Sequence, residues 1–302
     1  MTGAGADAAD HGFELTRLDK VLFPESGVTK GDLVDYYDRI AEIALPHWRE
    51  RALTMQRFPD GIASGGFYEK EAPAYFPDWI ERAVLPKQDG ETTYVVANDR
   101  ATFVYLANQA CVTPHLALAR RDRPHHPDRL IFDLDPSDDA FAKVQATAAA
   151  LKDLLDEIDL PSFVQTTGSR GLHVIVPLDR SADFDAARAF AHDVADRLAE
   201  SQPKLMTTAM RKDARGDRVF LDYLRNAYGQ TAVAPYAVRA LEGAPVATPL
   251  RWRDAGDSDL TPGKYTIRNI FRRLGQTVDP WAAIADHSVA VTDAAERLGS
   301  AS

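Results

Sequence analysis

The 302-residue chain has a single cysteine, Cys111, which excludes an internal disulfide and a thiolate zinc cluster and points to a reducing compartment. At this length no such staple is needed, because one large domain or two packed lobes can bury a full core. There is no run approaching the roughly 18 apolar residues that a membrane span requires. The first residues, MTGAGADAADHG, lack the basic start and apolar stretch of an export signal. Residues 1–12 therefore read as a disordered tail, and the protein as soluble and cytoplasmic. Basic charge is in deficit: 35 Lys and Arg against 45 Asp and Glu leave a net charge of −10, so contact with a polyanion has to be local. The segment Lys204–Arg225 offers such a place, with six basic residues against three acids. Fixed-period repeats and long linkers are absent beyond the tail, and residues 13–295 read as one domain.

What is present is a mixture of helices and strands. Thr29 predicts the N-cap of a helix running to about Ala44, with Leu33, Tyr37, Ile40 and Ala44 on one face and Pro46 as its stop. TTYVVAND predicts a strand and ATFVYLANQA a strand or a helix. DRLIFDLDP is an apolar run too short for a helix and stopped by Pro136, hence a buried strand. Ser137, Asp138 and Asp139 are placed to open a helix carrying Phe141, Val144, Leu151, Leu154, Leu155 and Ile158. SFVQTT and LHVIVPL flank the turn GSRG as a hairpin. In its second arm Leu172, Val174, Val176 and Leu178 alternate with His173 and Ile175, so His173 faces away from that apolar side. A further amphipathic helix is expected over about Ala182 to Ala199, and a short strand at RVFLDY. The fold class is therefore α+β, a mixed α/β arrangement with mixed or antiparallel sheets.

Residues two apart on a strand share a face, so Asp133 and Asp135 point together. A cation relieves their repulsion at the end of a buried strand, and hard oxygen ligands favour Mg²⁺ or Mn²⁺. Asp222, following Val219, Phe220 and Leu221, is the candidate third carboxylate of a two-ion phosphoryl-transfer site. The same D-x-D pattern also opens turns and caps helices, and a lone acid at a strand end is usually solvated. The turn from Thr167 through Gly168, Ser169 and Arg170 to Gly171 is neither a Walker loop nor a Rossmann fingerprint. Its two hydroxyls, guanidinium and tight backbone suit a triphosphate, or equally an ordinary polar hairpin, and His173 follows two residues on. Arg215, Arg225 and Arg239 surround Asp222 in sequence and can meet phosphate oxygens. Lys30 occupies the first helical position, where the dipole already supplies positive charge. With Lys20 it makes LTRLDKVLFPESGVTK either a pocket for a DNA 5′-phosphate or a pair of exposed lysines. Phe67, Tyr68 and Lys70 read as a base-stacking segment or as core anchors.

Taken together, the segments LDKVLFPESGVTKGDLVDYY, FYEKEAPAYFPDW, FDLDP, TTGSRGLHVIVPL and FLDYLRNAYGQTAVAPYAVRA resemble the polymerase domain of bacterial ligase D and its stand-alone relatives, in the archaeo-eukaryotic primase superfamily. The likeness runs in order from about Phe13 to Ala283. It implies a primase-polymerase catalytic core with a packed N-terminal module. It implies a DNA-dependent nucleotidyltransferase adding ribo- or deoxyribonucleotides to primer 3′-ends at gaps or double-strand breaks, in end joining or gap repair. Asp133, Asp135 and Asp222 are then the catalytic ligands of two Mn²⁺ or Mg²⁺ ions. His115, Thr167, Ser169, Arg170, His173, Arg225 and Arg239 surround the incoming NTP or dNTP. Lys20 and Lys30 take a recessed 5′-phosphate, Phe67 and Tyr68 meet the template, and Arg57, Lys70 and Arg215 are further expected on DNA.

The implied partners are DNA with a 5′-phosphate, Ku and a separate DNA ligase, in the nucleoid-associated bacterial cytoplasm and away from any membrane. The chain departs from the family pattern at Gln56, where many relatives have lysine, and at Thr167 and Arg170, which replace serine and lysine while keeping the hydroxyl and the charge. The usual Trp after the His115 segment is absent. Two other readings stand beside this one. LIFDLDPS imitates the aspartyl-nucleophile motif of a haloacid-dehalogenase-like phosphatase, and a primase-shaped chain can serve as a non-catalytic DNA-end binding module.

Overall fold

The computed structural model describes residues 12–300, so the expected tail lies outside the described residues but for Gly12. Strands β1 (Val21–Phe23) and β2 (Val28–Thr29) lead into α1 (Lys30–Trp48). Then come β3 (Ala52–Arg57), β4 (Phe67–Glu69), β5 (Arg82–Lys87), β6 (Gly90–Val96), α2 (Arg100–Asn108) and β7 (Cys111–Ala117). A second run follows with β8 (Arg129–Asp135), α3 (Phe141–Glu157), β9 (Phe163–Thr166), β10 (Leu172–Pro177), α4 (Phe184–Ser201), β11 (Met206–Thr207) and β12 (Val219–Asp222). The chain closes with β13 (Thr231–Val233), β14 (Pro249–Leu250), α5 (Trp252–Ala255), α6 (Ile270–Leu274) and α7 (Val291–Ser300).

β1 and β2 pair with each other, and the remaining strands make two sheets. One has the order β13-β7-β3-β6-β5 with β4 added on β3, and the other the order β11-β12-β8-β10-β9-β14. Among the described strand pairs only β11 and β12 run parallel. The α+β expectation therefore holds. No helix among the described residues is long and apolar enough to cross a membrane.

The two-residue period of a strand sorts the second sheet into two faces. Leu130, Phe132 and Leu134 of β8 and Leu172, Val174 and Val176 of β10 pack under α3 and α4, against Leu151, Leu155, Phe190 and Val194. The intervening Ile131 and Ile175 meet Leu118, Ala232 and Trp281 from the other side. That alternation sends Asp133, Asp135 and His173 to the face between the sheets, as the hairpin reading expects for His173. The first sheet is backed by α1 and α2, where Leu33, Tyr37, Ile40, Ala44 and Trp48 bury against Phe103 and Val104.

Two local expectations are corrected and one open alternative is settled. Helix α1 does not stop at Pro46 but runs to Trp48 with Pro46 inside its last turn. One lost backbone bond at a helix end is outweighed by burial of Trp48, which stacks on Phe103 at 4.2 Å. ATFVYLANQA, open between a strand and a helix, is helical as far as Asn108, and Asp99 caps the start by accepting from Thr102 N. Ser137, Asp138 and Asp139 do not cap α3, which starts later at Phe141 without a side-chain cap.

A buried polar network ties α1 to both sheets and to the C-terminal segment. His47 Nε2 lies 2.6 Å from Asp279 Oδ2, and Tyr236 donates to Asp279 Oδ1. Arg51, fully buried, donates to Asp128 Oδ2 at 2.6 Å, and Arg120 donates to the same oxygen. Burial opposes the charge on Asp128, yet Arg51, then Arg129 and Arg120, hold its carboxyl far below the usual carboxylate range. Replacing Asp128 by Asn should lower the unfolding free energy near neutral pH by about 3–5 kcal/mol, since Arg51 is left buried without its counter-charge. A depressed pKa contributes fully above the unfolded value of about 3.9 and is lost as pH falls through the folded one. In denaturant titrations the difference between the two proteins should therefore shrink below about pH 4, and a difference that stays constant on acidification would rule this assignment out.

Candidate active site

Strand register lays one row of polar side chains across four strands. Asp133 on β8 is the register partner of Asp222 on β12 and of His173 on β10, and His173 is the partner of Gln165 on β9. Directly opposed residues carry Cβ atoms about 4.5–5.5 Å apart, so the backbone ladder alone brings Asp133 and Asp222 together. Asp135 shares the face of Asp133, two residues on, opposite Phe220.

The row is electrostatically uneven. Burial works against charge on Asp133, but His173, then Arg225 and Arg239, hold it below the usual carboxylate range. Asp135 and Asp222 are pushed above that range, by burial first and by the charge on Asp133 as well. His173 Nε2 lies 3.5 Å from Asp133 Oδ1, while Gln165 Nε2 is 3.2 Å from His173 Nδ1. An amide nitrogen only donates, so with Gln165 in this orientation Nδ1 accepts and the proton of a neutral His173 sits on Nε2, toward Asp133.

The opposing wall comes from the first sheet. His115 on β7 pairs with Thr54 and Val233. It is half-buried, its shielded Nε2 has no hydrogen-bond partner, and loss of hydration, followed by Arg239, Arg225 and His173, brings its pKa down to about 3. Between the walls lies a cleft of about 190 Å³ lined by His115, Asp133, Asp135, His173, Arg225 and Arg239 together with the Thr167–Gly171 turn. The turn is built to a fixed shape. Thr167 donates to Gly171 O and accepts from the backbone of Ser169 and Gly171. Gly168 has φ +66, and a Cβ there would stand 2.8 Å from Arg239 Cγ; at Gly171 a Cβ would stand 2.2 Å from Leu134 O. Only glycine fits either place. Arg239 donates to Thr167 O at 2.5 Å, so the far arginine and the turn form one unit. Arg170 is largely exposed, donating to Asp138 O.

Arg225, in the turn after β12, puts Nε 3.5 Å from Asp133 Oδ2 and 3.6 Å from Asp222 Oδ2. As the side chains stand, no three His, Cys, Asp or Glu among the described residues are gathered to hold a metal ion. The donor set nevertheless fits a hard divalent cation: three carboxylates on one face of two adjacent strands, with Asp135 in no ion pair among the described residues and resisting ionisation while unaccompanied.

The other expected residues divide. Phe67 and Tyr68 are exposed on β4, with Tyr68 edge-on to His115 at 5.6 Å, at the mouth of the cleft. Lys20 is paired with Asp60 at 2.8 Å. Lys30 is not an exposed lysine: it is buried, donating to Asn108 O and Thr16 Oγ1, and burial, then Arg17 and Lys20, lower its pKa. Lys20, Lys30 and Arg17 thus form a cationic cluster away from the carboxylate row. Arg57 is buried and spends its guanidinium on Glu69 and Gln109 O beneath the aromatic strand β4. Arg215 lies outside the cleft lining, stacked on Phe220 at 3.6 Å and donating to the carbonyls of Ala209 and Met210. Lys70 donates to Gly229 O and lines a larger cavity of about 720 Å³ that adjoins the cleft at Thr231. Gln165, Asp60 and Arg17 were not anticipated from sequence. Gln165 had one usable signal, its place opposite His173 in the hairpin.

Known proteins give a consistent likeness. A family model described as the LigD primase-polymerase domain matches residues 29–281. The multifunctional non-homologous end joining DNA repair protein LigD of Mycobacterium tuberculosis is 35% identical over 292 residues, covering 92% of this chain and 38% of that protein. The bifunctional non-homologous end joining protein LigD of Bacillus subtilis is 33% identical over 264 residues, covering 86% of this chain and 42% of that protein. The chain thus spans well under half the length of these relatives. The solved polymerase domain of Mycobacterium tuberculosis ligase D, in complex with DNA, superimposes with a TM-score of 0.86 at 32% identity, over 92% of this chain and 99% of that one.

The brace on His173 is open to test. Gln165→Leu removes the donor to a buried ring nitrogen and should cost about 1–3 kcal/mol of stability. It should also move ring protonation toward Nδ1, read from the ¹⁵N shifts of His173; an unaltered tautomer population and unfolding midpoint would contradict the brace.

Proposed function

Because the chain belongs to the LigD primase-polymerase domain family, we propose that it is a divalent-metal-dependent nucleotidyltransferase that extends a DNA primer at a gap or break. The reaction is attack of a primer 3′-hydroxyl on the α-phosphate of an NTP or dNTP, with pyrophosphate as the leaving group. The observation that carries this reading is that Asp133, Asp135 and His173 share one cleft with the unpartnered Nε2 of His115, with Asp222 set beside Asp133 by strand register. The phosphatase and non-catalytic readings have no comparable support.

Asp133, Asp135 and Asp222 are the residues that would hold Mn²⁺ or Mg²⁺, which when bound acidifies the attacking hydroxyl and neutralises the departing pyrophosphate. The protein's own groups do the positioning. The Thr167–Gly171 turn presents hydroxyl and backbone N–H groups along the triphosphate, and Arg170, Arg225 and Arg239 meet its oxygens. His115, half-buried with a pKa brought down to about 3, stays neutral, so it donates a single hydrogen bond from its shielded Nε2 without adding charge to a crowded site. Phe67 and Tyr68 stack on the template base beside the cleft, and Arg57 acts beneath them as a brace. Lys20, Lys30 and Arg17 take the downstream 5′-phosphate, with Asp60 as the group that Lys20 must release. End joining as the setting follows from what the relatives' names state of them, and Ku and a separate DNA ligase are the partners this reading assigns to it.

Two outcomes check the reading. On gapped DNA carrying a 5′-phosphate, with Mn²⁺ and nucleotides, the protein should extend the primer, whereas Asp135→Ala should bind the DNA but lose extension by at least about 10³-fold; full activity in that variant would remove the metal site. Replacing Lys20 and Lys30 together by Ala should weaken binding to a phosphorylated gap by about 1–3 kcal/mol more than to an unphosphorylated one. The comparison cancels any general loss of stability from the buried Lys30, and an equal loss on both substrates defeats the pocket.

A further inference from the structure

We infer that Arg225 is a resident stand-in for the catalytic cation, so that metal ions enter the carboxylate row only as nucleotide draws Arg225 out. The inference rests on the nucleotidyltransferase reading and adds the order in which its ligands arrive.

Every carboxylate oxygen of the Asp133 and Asp222 pair already faces a protein cation or donor. Asp133 Oδ1 faces His173 Nε2, and Asp222 Oδ1 accepts from Leu224 N at 2.8 Å. The two Oδ2 atoms, one from each residue, share the Nε of Arg225. These partners differ in how readily they can leave. His173 is buried and braced by Gln165, and Leu224 N is backbone. Arg225 sits on a long stem with 44% of its side chain exposed, at distances beyond hydrogen-bonding range, so it holds both carboxylates by charge alone. It is the one partner that can swing away at small cost.

Two consequences follow. A cation approaching the ligand-free row meets a guanidinium between two of its three ligands, and binds weakly because it must displace that charge. A nucleoside triphosphate offers Arg225 a denser set of anionic oxygens on the same side of the cleft, where Arg239 and the Thr167–Gly171 turn already wait. Once Arg225 turns to the phosphates, the paired Oδ2 atoms are free for the metal. Coupling of this kind is reciprocal: nucleotide tightens metal binding by the same factor that metal tightens nucleotide binding.

The test is a Mn²⁺ titration followed by the electron paramagnetic resonance signal of the free ion. It uses the full chain, Arg225→Gln and Arg225→Lys, each with and without a non-hydrolysable nucleoside triphosphate. The native chain should bind Mn²⁺ weakly alone and roughly tenfold or more tightly with nucleotide. Arg225→Gln should bind Mn²⁺ alone about as tightly as the native chain does with nucleotide, and gain little more when nucleotide is added. Arg225→Lys, which keeps the charge, should remain weak alone. A glutamine variant no better than the native chain in the absence of nucleotide overturns the inference, even if gapped DNA is still extended. If neither protein takes up Mn²⁺ under any condition and the native chain fails to extend a primer, the nucleotidyltransferase reading itself has failed.

Discussion

The cleft depends on one constraint, the antiparallel register that sets β8 between β10 and β12. A slip of one residue in either pairing would turn the polar row toward the helices and bring Leu134 or Phe132 into the cleft. That register is held by burial on both faces: Leu130, Phe132 and Leu134 under α3 and α4, and Ile131 against Trp281 and Ala232. Core packing and site geometry are thus the same fact about one strand. The opposing wall needs no such precision, because His115 offers a single nitrogen.

Two buried charge clusters show what compensation does. Around Asp128, two guanidinium donors close on one carboxylate at 2.6–2.9 Å, and the result is a cross-link between α1 and the sheets. Around Asp133 the partners stand at 3.5 Å, and two neighbouring carboxylates are left resisting ionisation. In the first cluster close donors hold the carboxylate ionised. The second is left wanting, which is the condition of a site that expects a ligand.

Much of this was legible in the sequence wherever one local rule sufficed. The period of two placed Asp133 and Asp135 on one face and His173 opposite its apolar neighbours. Thr29 announced α1, and Gly168 and Gly171 marked a turn that no side chain beyond glycine can make. What escaped needed tertiary information. Lys30 at a helix start was open to a phosphate pocket or plain exposure, and only the fold shows it buried under Thr16 and Asn108, residues 14 and 78 positions away. Arg57 and Arg215 are expected on DNA, and what sequence does not show is that their guanidiniums are already engaged by carbonyls and a ring of neighbouring segments. Pro46 signalled a stop that the stacking of Trp48 on Phe103 overrides, and sequence alone does not price that contact.

The chain order of the second sheet carries a further consequence. β12 docks beside β8 only after α3, the β9–β10 hairpin and α4 have intervened, and β14 returns later still to cover β9. Such long-range pairings close late, because loop entropy must be met before their contacts repay it. During synthesis the hairpin that carries two of the aspartates' neighbours can assemble while the last acidic strand is still undocked. In the proposed site the third carboxylate therefore takes its place only when the finished topology docks β12 beside β8.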